Sequence, residues 1–485
     1  MRPGRRRWAA LLAGAAAAAP AAAQDVEDLL DELTRDVELM EQQDAGLDDL
    51  LSDDGLDELL GGIDEPAPDA AADSPLTDWK GFVELRPRAY LRDHDDTDKN
   101  DAELFLEAEL ELDFRFGERL TGYFRPRVFV DALNGDSNRF EPYEAYLTWQ
   151  ESSWDLRAGQ FVENWGIVDT FNPIDVVNRR DFATDFLDPD RLGELGVRYR
   201  RFFDGGDTIG EPTLSLYALP TWRETRFPGE DSRFSFDQPG MPFVEEDGLE
   251  PSGSERGLYA ARFQSTLTTG PANADLQLLV ARGPERGPLA VPDPGAAAPQ
   301  LVPAYYGART FGAGLRAVPN EDVLGHFLAT LTLKAEVVFK DPYRFDGSPI
   351  ETPEDYLAYV VGVDRLFYDL LRAQDQLTVT LEYAGETGAD DAATVFRPFR
   401  NDVIARAFWE ANDFARRSLE LRTIYDVDTK EVIWESIFET QLRAIHEDLK
   451  LNVQLQLFDP PGNGESVFDF FPNNSLLAIG LRWDL

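Results

Sequence analysis

From Lys80 to the C-terminus, apolar and polar positions alternate with a period of two in short runs. The clearest run is 103–116. Leu104, Leu106, Ala108, Leu110, Leu112, Phe114 and Phe116 share one face. Glu103, Glu107, Glu109, Glu111, Asp113 and Arg115 share the other, with Phe105 the exception. Successive side chains of a strand point to opposite faces, so this pattern predicts an amphipathic strand. Runs of this kind map to about eighteen strands: 80–93, 103–117, 120–133, 141–151, 154–163, 194–203, 212–222, 257–269, 274–283, 308–319, 326–341, 355–366, 374–387, 400–411, 416–427, 430–445, 448–458 and 475–485.

The links between these runs alternate as well. Those after odd-numbered strands are long and include 164–193, 223–256, 284–307, 342–354 and 459–474. Those after even-numbered strands are short, as at 118–119, 152–153, 270–273, 412–415 and 446–447. Short turns on one side and long loops on the other are the layout of a transmembrane antiparallel β-barrel, apolar outside and polar inside. A soluble sandwich also alternates, but it buries its apolar face. The predicted fold is therefore an all-β barrel of about eighteen strands over 80–485, with both ends of that domain on the short-turn, periplasmic side.

Trp79, Tyr123, Tyr143, Trp149, Trp154, Trp222, Tyr425, Trp434 and Trp483 fall near predicted strand ends, where interface girdles place aromatic rings. In the last strand Leu477, Ile479, Leu481, Trp483 and Leu485 share a face. It resembles the C-terminal signal read by the outer-membrane barrel-assembly machinery, with Leu485 where Phe is usual. That resemblance implies the machinery as a partner.

The chain starts with Arg2, Arg5, Arg6 and Arg7, an apolar stretch from Trp8 to Ala19, and small residues up to Ala23. These three parts read as a secretory signal peptide over 1–23. Residues 24–65 are acidic and partly of helical period: Val26, Leu30, Leu33, Val37 and Met40 are spaced 4-3-4-3. This stripe covers about two heptads, short of a coiled coil. It reads as an acidic periplasmic tether with transient helix, or as a docking helix through which residues 25–65 meet a periplasmic partner. Pro66, Pro68 and Ala70–Ala72 form a linker, 66–79, to the barrel.

The formal net charge is -45; removing the four Arg of 1–23 makes it -49. Residues 24–79 hold twenty acids and one Arg, a net of -19, which leaves -30 for 80–485. Such a charge argues against nucleic-acid partners. The absence of cysteine excludes disulfides and thiol chemistry.

With apolar faces outward, the first strands turn charge into the lumen. Arg86 and Arg88 stand beside the ladder of Glu107, Glu109 and Glu111, with Arg125 and Arg127 on its other side. Opposite charges across strands stabilise a sheet. These residues, with Arg157, are the candidate wall of a solute pathway, most of them pairing to hold the barrel's shape. The link after the fifth strand is long and rich in turn formers: Trp165, Asp169, Asn172, Asp175, Arg179, Arg180 and Asp181 are its candidate constriction residues. A loop of this length is usually functional or disordered. Here it predicts a segment folded into the pore.

The stretch Leu156–Asp181 carries Arg157, Gly159, Gln160, Trp165, Gly166, Asn172, Pro173 and Asp175. It resembles the "GRQ-x-x-x-WG…NPxD" segment of Gram-negative outer-membrane porins related to the alginate-export type, although Gly159 stands where that family often has Arg. The resemblance implies an outer-membrane channel.

Only His94, His326 and His446 are present, without ligand-like spacing, and no Gly-x-Ser-x-Gly elbow or His-Glu-x-x-His motif occurs. No nucleophile and base can be named, so the sequence predicts neither an enzyme nor a cofactor. Asp95, Asp96, Asp98 and Asp101 do not match a calcium loop and read as a solvated acidic loop. The expectation is a channel in the outer membrane of a Gram-negative bacterium. It passes a small or extended solute passively through a lumen narrowed by 164–193. The other reading is a plugged barrel that binds, scaffolds or relays hydrophobic molecules with an envelope partner.

Overall fold

The computed structural model describes residues 74–485 except 93–98, 134–137, 230–231, 237–241, 245–247, 294–295, 297, 389–398, 461–467, 469–470 and 472. The predicted signal peptide, the acidic segment and most of the linker lie outside the described residues. So do His94, Asp95, Asp96 and Asp98.

Eighteen strands form one sheet among the described residues. They are β1 Leu76–Tyr90, β2 Ala102–Arg115, β3 Leu120–Asp131, β4 Arg139–Gln150, β5 Trp154–Phe161, β6 Glu194–Phe202, β7 Ile209–Leu219, β8 Leu258–Thr268 and β9 Ala272–Pro284. The second half is β10 Gly307–Pro319, β11 Leu331–Tyr343, β12 Tyr356–Tyr368, β13 Gln376–Thr387, β14 Asn401–Glu410, β15 Ser418–Asp426, β16 Val432–Gln441, β17 Leu449–Asp459 and β18 Leu476–Asp484. Each strand pairs antiparallel with its chain neighbours. β1 also pairs with β18, from Phe82↔Asp484 to Tyr90↔Leu476, which closes the sheet. No helix among the described residues is long and apolar enough to cross a membrane; the crossing is made by strands.

The outer face is the apolar one. Leu85, Leu147, Leu216, Val280, Val361, Leu381 and Leu457 are exposed there. The inner face carries Arg88, Glu107, Glu109, Arg127, Glu336, Glu382 and Glu435, all buried. Apolar outside and charged inside is the reverse of a soluble domain. It marks an outer-membrane-type transmembrane barrel.

Several local expectations are corrected. β1 starts at Leu76, within the stretch read as linker. Residues 326–330 do not begin a strand. The Asn320 side chain accepts the Asp322 N–H at 3.1 Å and caps a helical turn, Glu321–Leu324. Gly325, at φ +81°, ends that turn, and a second one, His326–Ala329, follows before β11. Trp79, Trp149, Tyr425 and Trp483 lie exposed on the barrel. Tyr123 and Tyr143 do not join a girdle, because their register turns them inward: the Tyr123 hydroxyl donates to Glu111 at 2.9 Å, and Tyr143 lies beneath the guanidinium of Arg125 at 4.6 Å. Trp222 is buried in a long loop, edge-on to Tyr305 at 4.5 Å.

Two short hairpins in the long loops have no counterpart in the predicted strands. One pairs Arg179–Asp181 with Asp190–Leu192, the other Leu289–Pro292 with Leu301–Ala304. Each is three or four residues per arm, too short for the period-two pattern to register.

An arginine placed on the lipid face tests the barrel's orientation. Leu381 is half exposed in the middle of β13. Leu381→Arg is expected to cost about 2–4 kcal/mol of folding free energy in lipid vesicles, the range for a midplane cation. Reversible urea unfolding in vesicles measures it, and an unchanged stability would turn this face away from lipid.

Candidate functional site

Charges on the lumen wall meet in pairs across neighbouring strands. Arg88 donates to Glu103 at 2.9 Å. Arg125 lies 2.8 Å from Glu109 and 3.7 Å from Glu144; Arg127 lies 2.5 Å from Glu107 and 2.8 Å from Asp190. Glu111 takes Lys80 at 3.1 Å. Arg86 sits 3.9 Å from Glu84 and 5.6 Å above the ring of Phe105. Arg157 covers Tyr146 at 4.0 Å and donates to Thr148 at 3.3 Å. Beside it, Gly159 has φ +133°, and a Cβ there would strike the backbone of Ala145 and Tyr146. A side chain is therefore strained and sterically blocked at 159, which accounts for glycine at this position of the segment.

Residues 162–193 fold into the barrel and are bonded to its wall on several sides. Near the start, the Val162 N–H donates to Glu144 at 2.9 Å. Glu163 takes Arg198 at 2.6 Å and the Tyr217 hydroxyl at 3.0 Å. Trp165 is buried edge-on to Tyr217 at 5.2 Å, with Arg262 at 5.1 Å over its ring, and its carbonyl accepts from Gln277 at 2.6 Å.

The loop backbone is then caught by two wall carboxylates. Glu336 of β11 accepts the N–H groups of Ile167, Val168 (3.1 Å) and Ile174 (3.5 Å). Glu382 of β13 accepts those of Asp169 (2.8 Å) and Thr170 (3.2 Å). Lys334 pairs with Asp169 and lies 2.8 Å from Asp364. Asn172 turns the chain, its carbonyl accepting the Asp175 N–H at 3.1 Å.

The returning half of the loop reaches other strands. Asp175 is shared by Arg180 (2.8 Å) and Arg191 (2.5 Å). Arg179 lies 3.4 Å from Glu194. Asp181 takes Arg139 and Arg226, each at 2.7 Å. The Thr184 carbonyl accepts from Arg88 of β1 at 2.9 Å, and Asp185 accepts from Gln454 of β17 at 3.0 Å. Contacts from β11 and β13 to β1 and β17 carry the loop across the lumen.

No family model matches this chain, and no curated protein matches its sequence. Among solved structures it is similar to Wzi of Escherichia coli, described as a carbohydrate-binding β-barrel outer-membrane protein involved in group 1 capsule assembly. The identity is 10% over 85% of each chain, with a TM-score of 0.46. It is also similar to OccAB3 of Acinetobacter baumannii, at 9% identity over 84% of this chain and 99% of that one, TM-score 0.45. OccK11 of Pseudomonas aeruginosa gives 11% identity over 85% and 97%, TM-score 0.45. These likenesses concern the barrel fold alone.

Above the crossing, three long loops meet on Phe186. Its ring lies 5.3 Å from Phe234 of the β7–β8 loop and 5.7 and 4.8 Å from Phe468 and Phe471 of the β17–β18 loop. Phe182 stacks on Phe227 at 5.8 Å. The cluster continues onto the wall through Phe458 and Tyr90. Every constriction-loop charge named from the sequence is thus bound to a protein partner. Sequence reasoning missed Glu163, Lys334, Glu336, Glu382 and the phenylalanine cluster. Glu382 shares the inward face of β13 with Gln376, Thr378, Thr380 and Glu386, and an acid on that face was the available signal.

Asp185 makes the loop's hold sensitive to acid. Burial acts to raise its carboxyl, but Arg88, Gln454 and the Asp188 N–H outweigh it and hold the group below its ordinary value. A depressed folded value means the stabilisation is complete above the unfolded pKa of about 3.9. It is lost as pH falls through the folded value. The thermal stability of the detergent-solubilised barrel is expected to fall as pH drops below about 4. In Asp185→Asn that step is expected to vanish, and its persistence would remove Asp185 from this role.

Proposed function

We propose that this protein is a passive diffusion channel of a bacterial outer membrane, selective through a lumen narrowed by residues 162–193. The observation that carries the reading is the attachment of that loop to opposite walls through Glu336, Glu382, Arg88 and Gln454. A loop so held sets a fixed aperture, because its backbone donors are satisfied by carboxylates that cannot leave the wall. The segment's resemblance to porins related to the alginate-export type supports the same class, with Trp165 and Asn172 in the fold of the loop. Selectivity then comes from the shape of the aperture and from ion pairs such as Arg127–Glu107 and Asp169–Lys334, since the named charges are already partnered.

A second reading rests on the Phe186 cluster, which joins three loops over the lumen. It makes the barrel a binding or relay protein with a closed mouth, and residues 25–65 then serve an envelope partner.

Single-channel recording decides between the two. The channel reading predicts stable steps from the folded, heat-modifiable barrel, and a reversal potential near zero across a salt gradient. It also predicts a several-fold larger step when residues 166–190 are replaced by a short Gly-Ser turn. Phe186→Ala, a truncation of the kind that costs a core about 3–5 kcal/mol, is expected to raise the open probability. No steps from any of these proteins would sink the channel and leave the closed barrel.

A further inference from the structure

A cavity of about 220 Å³ lies between loop 162–193, the start of the β9–β10 loop and the inner faces of β11 to β13. Two aromatic pairs line it. Phe171 meets Phe399 edge to face at 5.6 Å, and Phe182 meets Phe186 at 5.6 Å. All of its charges but Asp188 are partnered before any solute arrives. Lys340 donates to Glu285 at 2.6 Å. One oxygen of Asp175 holds both Arg180 and Arg191, and Asp169 takes Lys334. Arg286 donates to the Val177 carbonyl at 2.8 Å and lies 3.8 Å from Glu194. Glu386 lies 3.6 Å from Arg400. Asp188 makes no ion pair among the described residues but stands in the field of Arg422.

We propose that this cavity binds a neutral, hydroxyl-rich ring solute of saccharide type, a reading that rests on the channel function above and names its solute class. An anion entering here must break one of these pairs or stay uncompensated away from bulk water, and both are costly; a cation finds only Asp188, which already stands in the field of Arg422. A hydroxyl avoids that choice. It donates to a spare carboxylate lone pair and accepts from a spare guanidinium or ammonium N–H, so it joins a pair without dividing it. The aromatic rings supply what the hydroxyls do not: flat apolar surface for the C–H face of a ring. A small cavity with convergent polar groups between aromatic walls is the general form of a small-molecule site.

The test uses the full-chain protein in detergent and three probes of equal size: glucose, glucuronate and glucosamine. Equilibrium binding is measured by titration calorimetry. Glucose is expected to bind at least tenfold more tightly than either charged analogue. Phe171→Ala and Phe399→Leu are each expected to weaken glucose at least fivefold while the barrel stays heat-modifiable. Binding of glucuronate or glucosamine as tight as that of glucose overturns the proposal, and so does the absence of glucose binding. Current block by glucose in a planar bilayer separates the two readings. A barrel that binds glucose but passes no current keeps the site and loses the channel. One that conducts without binding glucose keeps the channel and loses the site.

Discussion

The structure depends on one constraint: in hydrocarbon, every backbone N–H and C=O must find a partner within the protein. An open sheet leaves two edges unmet, and pairing β1 with β18 removes both. Closure then fixes everything else about the wall. Each strand has one face against lipid and one against the lumen, so a period of two in polarity follows directly. The charged faces are forced into a narrow shared space, where like neighbours repel. Alternating acidic and basic strands relieve this, as Glu107 and Glu109 on β2 do against Arg127 and Arg125 on β3.

The same constraint governs the segment inside. A loop of 162–193 crossing the lumen carries backbone donors away from bulk water, and the wall meets them with side chains rather than strand edges. Glu336 and Glu382 are buried acids, an unfavourable placement unless each oxygen is bonded. Between them they take five loop N–H groups. Loop and carboxylates therefore require each other: without the loop the acids are buried and bare, and without the acids the loop has donors unmet. Charge-assisted bonds of this sort are worth about 1.5–3 kcal/mol each. Several acting together are enough to make the crossing a fixed part of the barrel.

How far this could be read in the chain follows from which interactions are local. The wall was legible because strand polarity is a property of consecutive residues, and the alternation of long and short links fixed strand parity without any contact information. Leu104 to Phe116 shows the first, and links 164–193 and 152–153 the second. Strand ends were less legible: the turns Glu321–Leu324 and His326–Ala329 interrupt an apolar run that reads as strand, and the interruption lies in the Asn320 cap and the φ of Gly325. The inward loop was recognisable by its length and turn formers. Its partners were not. Glu336 lies more than 160 residues from Ile167 and Ile174. Nothing in the local pattern of β11 marks which inward acid receives a backbone. The tyrosines mislead for a related reason: a ring near a strand end suits a girdle, but Tyr123 and Tyr143 follow the register of Glu111 and Arg125 into the lumen.

Net charge is a poor guide to the field inside such a barrel. The domain from residue 80 onward carries -30. Many of the described lumen charges nonetheless cancel locally, Arg88 with Glu103, Arg422 with Glu435 and Lys340 with Glu285. Exposed acids occur instead on turns and loops, such as Asp204 and Asp207 at one short turn and Glu351, Glu354 and Asp355 at one long loop. Charges on turns are solvated and screened within about 8–10 Å at physiological salt. Charges in the lumen are not, so each buried one is met by an opposite charge or, as at Glu336, by backbone N–H groups. In the channel reading proposed above, a solute approaching from either side would meet a screened negative rim first and a largely paired interior second. On that reading the rim sets what arrives, and hydrogen-bonding shape and aromatic surface set what stays.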